Sequence, residues 1–177
     1  MQNKIDNIRF KTKKIGLFYG SAHGDTKRTA ELIKKKFGGR VRLHDITASS
    51  AEELKRYNLL IMGLPTYHVG EMEDHWYRFL PQLDAVDFHN KKVALFCLGS
   101  QMFPMSFAGA MAILYKTLKT KGATLVGACK TEGYLWKKSE AMTGNVFCGL
   151  IIDELIEPEE TNTRVSAWVK QLKKEFI

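Results

Sequence analysis

The stretch Lys14-Ile15-Gly16-Leu17-Phe18-Tyr19-Gly20-Ser21-Ala22-His23-Gly24-Asp25-Thr26 decides the fold. An apolar strand runs into a tight loop of small and hydroxylated residues. A helical pattern opens directly after it, with apolar residues at Ala30, Leu32, Ile33 and Phe37. A strand, a short loop and a helix N-terminus together make an anion site, because the first N–H groups of a helix lack intrahelical acceptors and the helix dipole adds positive potential there. Gly20 and Gly24 let the backbone close around a phosphate, while Ser21 and Thr26 offer hydroxyls. The loop lacks the Gly-Lys-Ser/Thr of a nucleotide-triphosphate loop, since Asp25-Thr26 follows Gly24. It also lacks the G-x-G-x-x-G of a dinucleotide site. A single phosphomonoester fits it better. Taken alone, an ordinary strand-to-helix turn is the competing reading.

The 177 residues suit one domain with a substantial core. An apolar content of 45% with 26% charged residues belongs to a globular protein. No apolar run is long enough to span a bilayer, and residues 1–14 have no apolar segment of the secretory kind. Three widely spaced cysteines (Cys97, Cys129 and Cys148) argue against a disulfide frame and for a reducing, cytoplasmic setting. The five histidines show no metal-ligand spacing. The net charge of +8 permits acidic partners. Much of that charge is clustered: Lys34, Lys35, Lys36, Arg40 and Arg42 close the first helix, where lysines complement the helix dipole. No aromatic residues interleave with the basic runs as a base-stacking platform requires, so nucleic acid is not expected as a partner.

Along the chain, residues 1–13 read as a loosely ordered basic extension and residues 14–177 as one domain. Strands are expected at 15–19, 41–45, 59–64, 93–98 and 124–129, with Pro65 ending the third. Helices are expected at 26–37, 74–83, 107–121 and 159–176, with a short one capped at Ser49 to Glu53. Alternating strands and helices with short connections specify a three-layer, doubly wound α/β sandwich on a five-stranded parallel sheet. Such sheets bind ligands at the carboxyl ends of their strands. Three loops leave those ends. The second, Pro65-Thr66-Tyr67-His68-Val69-Gly70, supplies an aromatic residue and a tight turn. The third, Gly99-Ser100-Gln101-Met102-Phe103-Pro104, supplies amide donors and another aromatic residue. A flat ring between aromatic walls, with its phosphate on the first loop, describes a site for flavin mononucleotide (FMN).

The chain resembles the flavodoxins, and within them the long-chain group, over residues 14–177. Gly20-Ser21-Ala22-His23-Gly24-Asp25-Thr26 resembles the family's phosphate loop, G-T/S-x-T-G-N/x-T. Pro65-Thr66-Tyr67-His68-Val69-Gly70-Glu71-Met72 resembles its P-T-W-x-x-G-E-L loop. Asp87-Phe88 with Lys91, then Gly99-Ser100-Gln101, resembles D-F-x-x-K…G-x-G-D-Q. Residues 129–145 resemble the extra segment of the long-chain group, and Val165-Ser166-Ala167-Trp168-Val169 resembles the closing helix. The resemblance implies strand order 2-1-3-4-5, noncovalent FMN, and one-electron transfer between a reductase and acceptor proteins. It implies a monomeric carrier and no catalytic residues. Its cofactor contacts would be Ser21, Ala22, His23, Gly24, Asp25 and Thr26 on the first loop. The second loop would contribute Pro65, Thr66, Tyr67, His68, Val69 and Gly70, and the third Gly99, Ser100, Gln101 and Phe103.

The chain departs from the pattern in ways that carry chemistry. His23 stands for a Thr, Tyr67 for a Trp and Ser100 for an Asp, and Phe103 is the candidate substitute for the stacking Tyr. The resemblance makes the His68–Val69 peptide the one whose carbonyl turns toward ring N5. Neither residue is Gly, so that turn is expected to cost more than in a Gly-containing loop. With Ser100 in place of an acid and a basic chain around it, the cofactor is expected to be less strongly reducing than in an acidic relative. Partners with acidic docking faces are expected, unless the basic patch lies away from the flavin edge, whose rim carries Glu71, Glu73 and Asp74. Two other functions stay open at this level: a flavin-dependent reductase of the quinone type, and a basic binding module without FMN.

Overall fold

Alternation along the strands sets the layers. In β1 (Ile15–Tyr19), Ile15, Leu17 and Tyr19 join one apolar cluster and Phe18 the other, because successive strand side chains point to opposite faces. The structure, a computed structural model, describes residues 14–177, so the extension expected over residues 1–13 lies outside the described residues. β3 (Leu59–Tyr67) repeats the division: Leu60, Met62 and Leu64 lie with Phe18, while Leu59 and Ile61 lie with Ile15. A sheet apolar on both faces must be covered on both. α1 (Asp25–Phe37) and α5 (Thr161–Glu175) cover one face through Ile33, Phe37, Val165, Trp168 and Leu172. α2 (Ala51–Lys55), α3 (Asp74–Phe79) and α4 (Gly109–Thr120) cover the other through Leu54, Trp76, Phe79, Met111 and Leu114.

The sheet order is β2 (Val41–Asp45), β1, β3, β5 (Lys92–Leu98) and then a fifth position, all parallel. This is the expected 2-1-3-4-5 order, but the fifth position is shared. β6 (Thr124–Val126) pairs with Lys92 to Ala94, and β10 (Leu150–Ile152) pairs with Phe96 to Leu98. The chain leaves the sheet at Gly127, whose φ of 80° turns it outward. There Trp168 Nε1–H donates to the Gly127 carbonyl at 2.8 Å. The excursion forms a small antiparallel sheet of β7 (Cys129–Lys130), β8 (Met142–Thr143) and β9 (Val146–Phe147). The fifth strand expected at 124–129 is therefore two short strands in two different sheets.

Three other boundaries shift for local reasons. Pro65 does not end β3; it pairs in register with Leu98. Gly63 turns its carbonyl toward the Gly20 N–H at 3.1 Å. Pro65, two residues on, faces the same side, where β1 has already ended and no ladder bond is lost. The helix expected over 74–83 is α for one and a half turns and then 3₁₀ from Leu80, next to Pro81. α4 begins at Gly109 rather than 107 because Ala108 sits in the left-handed region at φ 53°. Lys91 of the Asp87-Phe88-x-x-Lys91 motif is a buried strut, donating to the Tyr57 carbonyl at 2.7 Å and the Lys55 carbonyl at 3.2 Å.

Candidate functional site

β1, β3, β5 and β10 all end on the same side of the sheet, and their loops enclose a cavity of about 400 Å³. That size is in the range of small-molecule sites. The first loop forms one end. Gly24 takes φ 93° just before α1, a conformation that costs glycine little. Ser21 Oγ accepts the N–H of Gly24 at 3.1 Å and of Lys27 at 3.2 Å. Both contacts use its oxygen as acceptor, so its O–H proton is left to donate elsewhere. The N–H groups of Asp25 and Thr26, in the first turn of α1, have no carbonyl one turn earlier. Ser21, Ala22, His23, Asp25 and Thr26 line the cavity; Gly24 shapes the loop without lining it. Asp25 pairs with Arg28, which also lines the cavity, so the carboxylate is partnered and a guanidinium is added beside the donors. This end of the cavity can hold a phosphate dianion through main-chain donors, hydroxyls and the Arg28 guanidinium beside them.

The second loop is the end of a hairpin. Thr66 pairs with Met72 and Tyr67 with Glu71, the latter two strands being β3 and β4 (Glu71–Met72). The turn between them places His68 at φ 44° and Gly70 at φ 87°. Gly70 lies directly on Gly109: a Cβ built on Gly109 would meet Gly70 Cα at 3.0 Å. Backbone thus packs on backbone, which seats the turn against the start of α4. Pro65, Thr66, Tyr67 and His68 line the cavity, whereas Val69 and Gly70 lie beyond its wall. The Tyr67 ring is half-buried and 5.9 Å from the His23 ring, linking the first two loops. Burial, and then the charge of Glu73, raise the Tyr67 phenol above its usual pKa, so it stays protonated and uncharged at neutral pH.

The third loop supplies the opposite wall through Gly99, Ser100 and the half-exposed Phe103. Gln101 is turned away. Its backbone N–H donates to Asp153 Oδ2 at 2.7 Å, and its side-chain amide donates to Asp153 at 3.2 Å and Glu157 at 2.9 Å. Gln101 is a strut tying this loop to the end of β10. Asp153 is buried, and its other oxygen accepts the N–H groups of Leu155 and Ile156 at 3.1 Å each. It is a turn anchor whose charge is taken up by donors.

Sequence reasoning missed Arg28, Leu98, Ser106, Phe107, Ala108 and the segment 152–155 of the cavity wall. The signal for the last was present: an apolar run, Gly149 to Ile152, followed by Asp153-Glu154, is a strand carboxyl end. Glu73, expected at the rim, is buried beneath the first loop. Its Oε1 contacts His75 Nδ1 at 2.6 Å, and its Oε2 has no hydrogen-bond partner among the described residues. Of the three rim acids, only Glu71 and Asp74 are exposed. The clustered lysines lie at the other pole. Lys34, Lys35, Lys36, Lys173 and Lys174 occupy the last turns of α1 and α5, and Lys14 and Lys92 stand at strand amino ends. Among the described residues no helix is long and apolar enough to cross a membrane, and no cluster of His, Cys, Asp and Glu could hold a metal ion. Burial pushes the thiols of Cys97, Cys129 and Cys148 up to about 12, so none is a thiolate at neutral pH.

A doubly wound α/β sheet with an anion loop and aromatic residues at its switch point defines a nucleotide-binding protein of the open-sheet class. The sequence profile of the flavodoxin family matches residues 17–168. The chain is 43% identical to the flavodoxin of Synechococcus elongatus over 166 residues, 92% of this chain and 98% of that protein. It is 40% identical to flavodoxin 1 of Escherichia coli over 164 residues, covering 91% and 93%. The Fusobacterium nucleatum flavodoxin bound to flavin mononucleotide superimposes with a TM-score of 0.88 at 31% identity, covering 93% of this chain and 99% of that one. The chain belongs to the flavodoxin family.

Proposed function

We propose that this protein is a one-electron carrier that holds FMN noncovalently in the cavity at the strand carboxyl ends. The carrying observation is the cavity itself. One end offers main-chain N–H groups, the Ser21 hydroxyl and Arg28 for a monophosphate, and the other offers the Tyr67 and Phe103 rings for a flat heterocycle. The donor set fits FMN. When bound, FMN supplies the chemistry, taking up or releasing one electron at its ring.

The chain's own residues bind, orient and tune it. Ser21, Ala22, His23, Asp25 and Thr26 hold the phosphate end, with Gly24 shaping that loop. Pro65, Thr66, Tyr67 and His68 form one wall of the ring slot and Gly99, Ser100 and Phe103 the other. Gln101 acts as the strut behind that wall. With FMN bound, the His68 carbonyl would accept a hydrogen bond from ring N5–H if the His68–Val69 peptide turned inward. His68 already holds a positive φ, and turning the peptide moves Val69 toward one too, which a β-branched residue resists. The Ser100 position carries no charge to oppose electron density on the ring.

The excursion between β6 and β10 supports placement in the long-chain group. The partners are a reductase and an electron acceptor, the carrier acting as a monomer in the cytoplasm, a setting that three free cysteines suit. The test is release of cofactor: acid precipitation of the yellow protein yields FMN, one per chain, and no FAD. A protein that stays colourless after incubation with excess FMN overturns the proposal.

A further inference from the structure

Beside the cavity is a second concavity, of about 310 Å³, that the cofactor does not need. It lies between the hairpin turn, the third loop, α4 and the excursion, and Ser106 lines both spaces. Its walls are apolar at Val69, Met105 and Ile113. Val69 is 82% exposed and Met105 61% exposed, in a molecule whose other large apolar side chains are mostly buried. Lys116 and Lys138 stand at its rim and share one carboxylate, Glu140, at 4.0 Å and 3.5 Å. The neighbouring Lys137 is exposed, so the rim carries more positive than negative charge. The backbone N–H groups of Lys137 and Lys138 donate to the Pro104 carbonyl at 2.9 Å and 2.8 Å. Those bonds fix the cationic rim to the third loop.

We propose that this concavity is the docking site for the redox partner, and that the partner presents an apolar side chain flanked by carboxylates. The inference rests on the FMN-carrier reading above and adds to it the surface and the partner's chemistry. Val69 and Met105 gain from burial, and methionine adapts its shape to more than one anchor. Partner carboxylates complete the two lysines that Glu140 leaves under-compensated. Such exposed pairs contribute little affinity, but they steer encounter and fix orientation. The far-pole lysines instead occupy the last turns of α1 and α5, where they complement the helix dipoles. Seated here, an anchor adjoins the hairpin turn that bounds the flavin slot, which keeps the path for an electron short.

The test uses the FMN-loaded protein, reduced with dithionite and mixed in stopped flow with two acceptors. One is plastocyanin, with an acidic face, and the other is mitochondrial cytochrome c, with a basic one. Two double variants carry the same change in net charge: Lys116→Glu with Lys138→Glu at the rim, and Lys34→Glu with Lys35→Glu at the far pole. All four lysines are exposed, and the flavin absorbance of each variant confirms that the cofactor is held. The rim variant should slow reduction of plastocyanin about tenfold at low salt and remove most of its salt dependence, and the pole variant should change it less than about twofold. Met105→Ser should slow it without altering the salt slope. With cytochrome c the rim variant should be the faster one. Equal slowing by the two double variants, or an unaffected rim variant, overturns the docking site while leaving the carrier reading intact. Loss of the flavin spectrum from the unmodified protein would instead overturn the carrier reading.

Discussion

Replacing Gly109 by Ala measures how the hairpin turn is held. An ideal Cβ at Gly109 would lie 3.0 Å from Gly70 Cα, 3.2 Å from its carbonyl oxygen and 3.5 Å from its carbonyl carbon. Non-bonded carbons prefer about 3.5–4.0 Å. All three atoms are backbone, so none can rotate away; the turn must move by several tenths of an ångström. Overpacking of this kind costs about 1–3 kcal/mol. The helix gains at most about 1 kcal/mol from exchanging Gly for Ala, and less at its first residue. A net loss of about 1–2 kcal/mol should follow. It should come with weaker FMN binding, because Tyr67 and His68 ride on the displaced turn. Urea unfolding of the apoprotein reads the first effect and fluorescence titration with FMN the second. Gly144→Ala is the control: Gly144 has φ 61° and, among the described residues, nothing within 4 Å of a Cβ, so it should lose stability through backbone strain alone and keep its FMN affinity. A Gly109→Ala protein as stable as the parent, with unchanged FMN affinity, would refute the backbone-on-backbone account.

Three further outcomes are expected. Tyr67→Ala should weaken FMN binding by about 1–3 kcal/mol, as for a desolvated stacking partner; an unchanged dissociation constant would place Tyr67 off the ring. Val69→Gly should ease the peptide turn and raise the first one-electron potential; relief of about 1–3 kcal/mol of strain converts to about 40–130 mV, and spectroelectrochemistry showing no rise would remove that role from Val69. His44 stacks on Phe18 at 4.5 Å, and its Nε2 lies 2.9 Å from the Tyr57 hydroxyl. Burial, and then Arg42, lower its pKa from the ordinary 6.5. Its neutral form therefore supports the fold above pH 6.5, and that support is lost as pH falls through the lower folded value. His44→Phe should flatten this arm of the stability profile; an identical acid arm in urea titrations between pH 7 and 5 would show that other groups set it.

The strand order came from the resemblance to the flavodoxins, but four of the five expected strands were legible in themselves, because parallel strands buried on both faces are written as apolar runs such as Leu59 to Leu64 and Val93 to Leu98, and burial acts locally on each run. The phosphate loop was legible for a similar reason: Gly24 and Ser21 do their work within a few residues of themselves, on the N–H groups of the helix that follows. What the sequence could not settle were contacts between distant segments. The split of the fifth strand depends on Trp168 holding Gly127, 41 residues apart. The turning away of Gln101 depends on Asp153 and Glu157, more than 50 residues on. The burial of Glu73 under Gly20 and the seating of Gly70 on Gly109 are likewise packing outcomes with no local signature. The separation of the clustered lysines from the cavity needed the fold as well. A count gives +8, but only the antiparallel run of α1 and α5 against the strands carries their last turns to the pole opposite the site. Local chemistry fixed the type of site; the meeting of remote segments decided which side chains face it and where the charge lies.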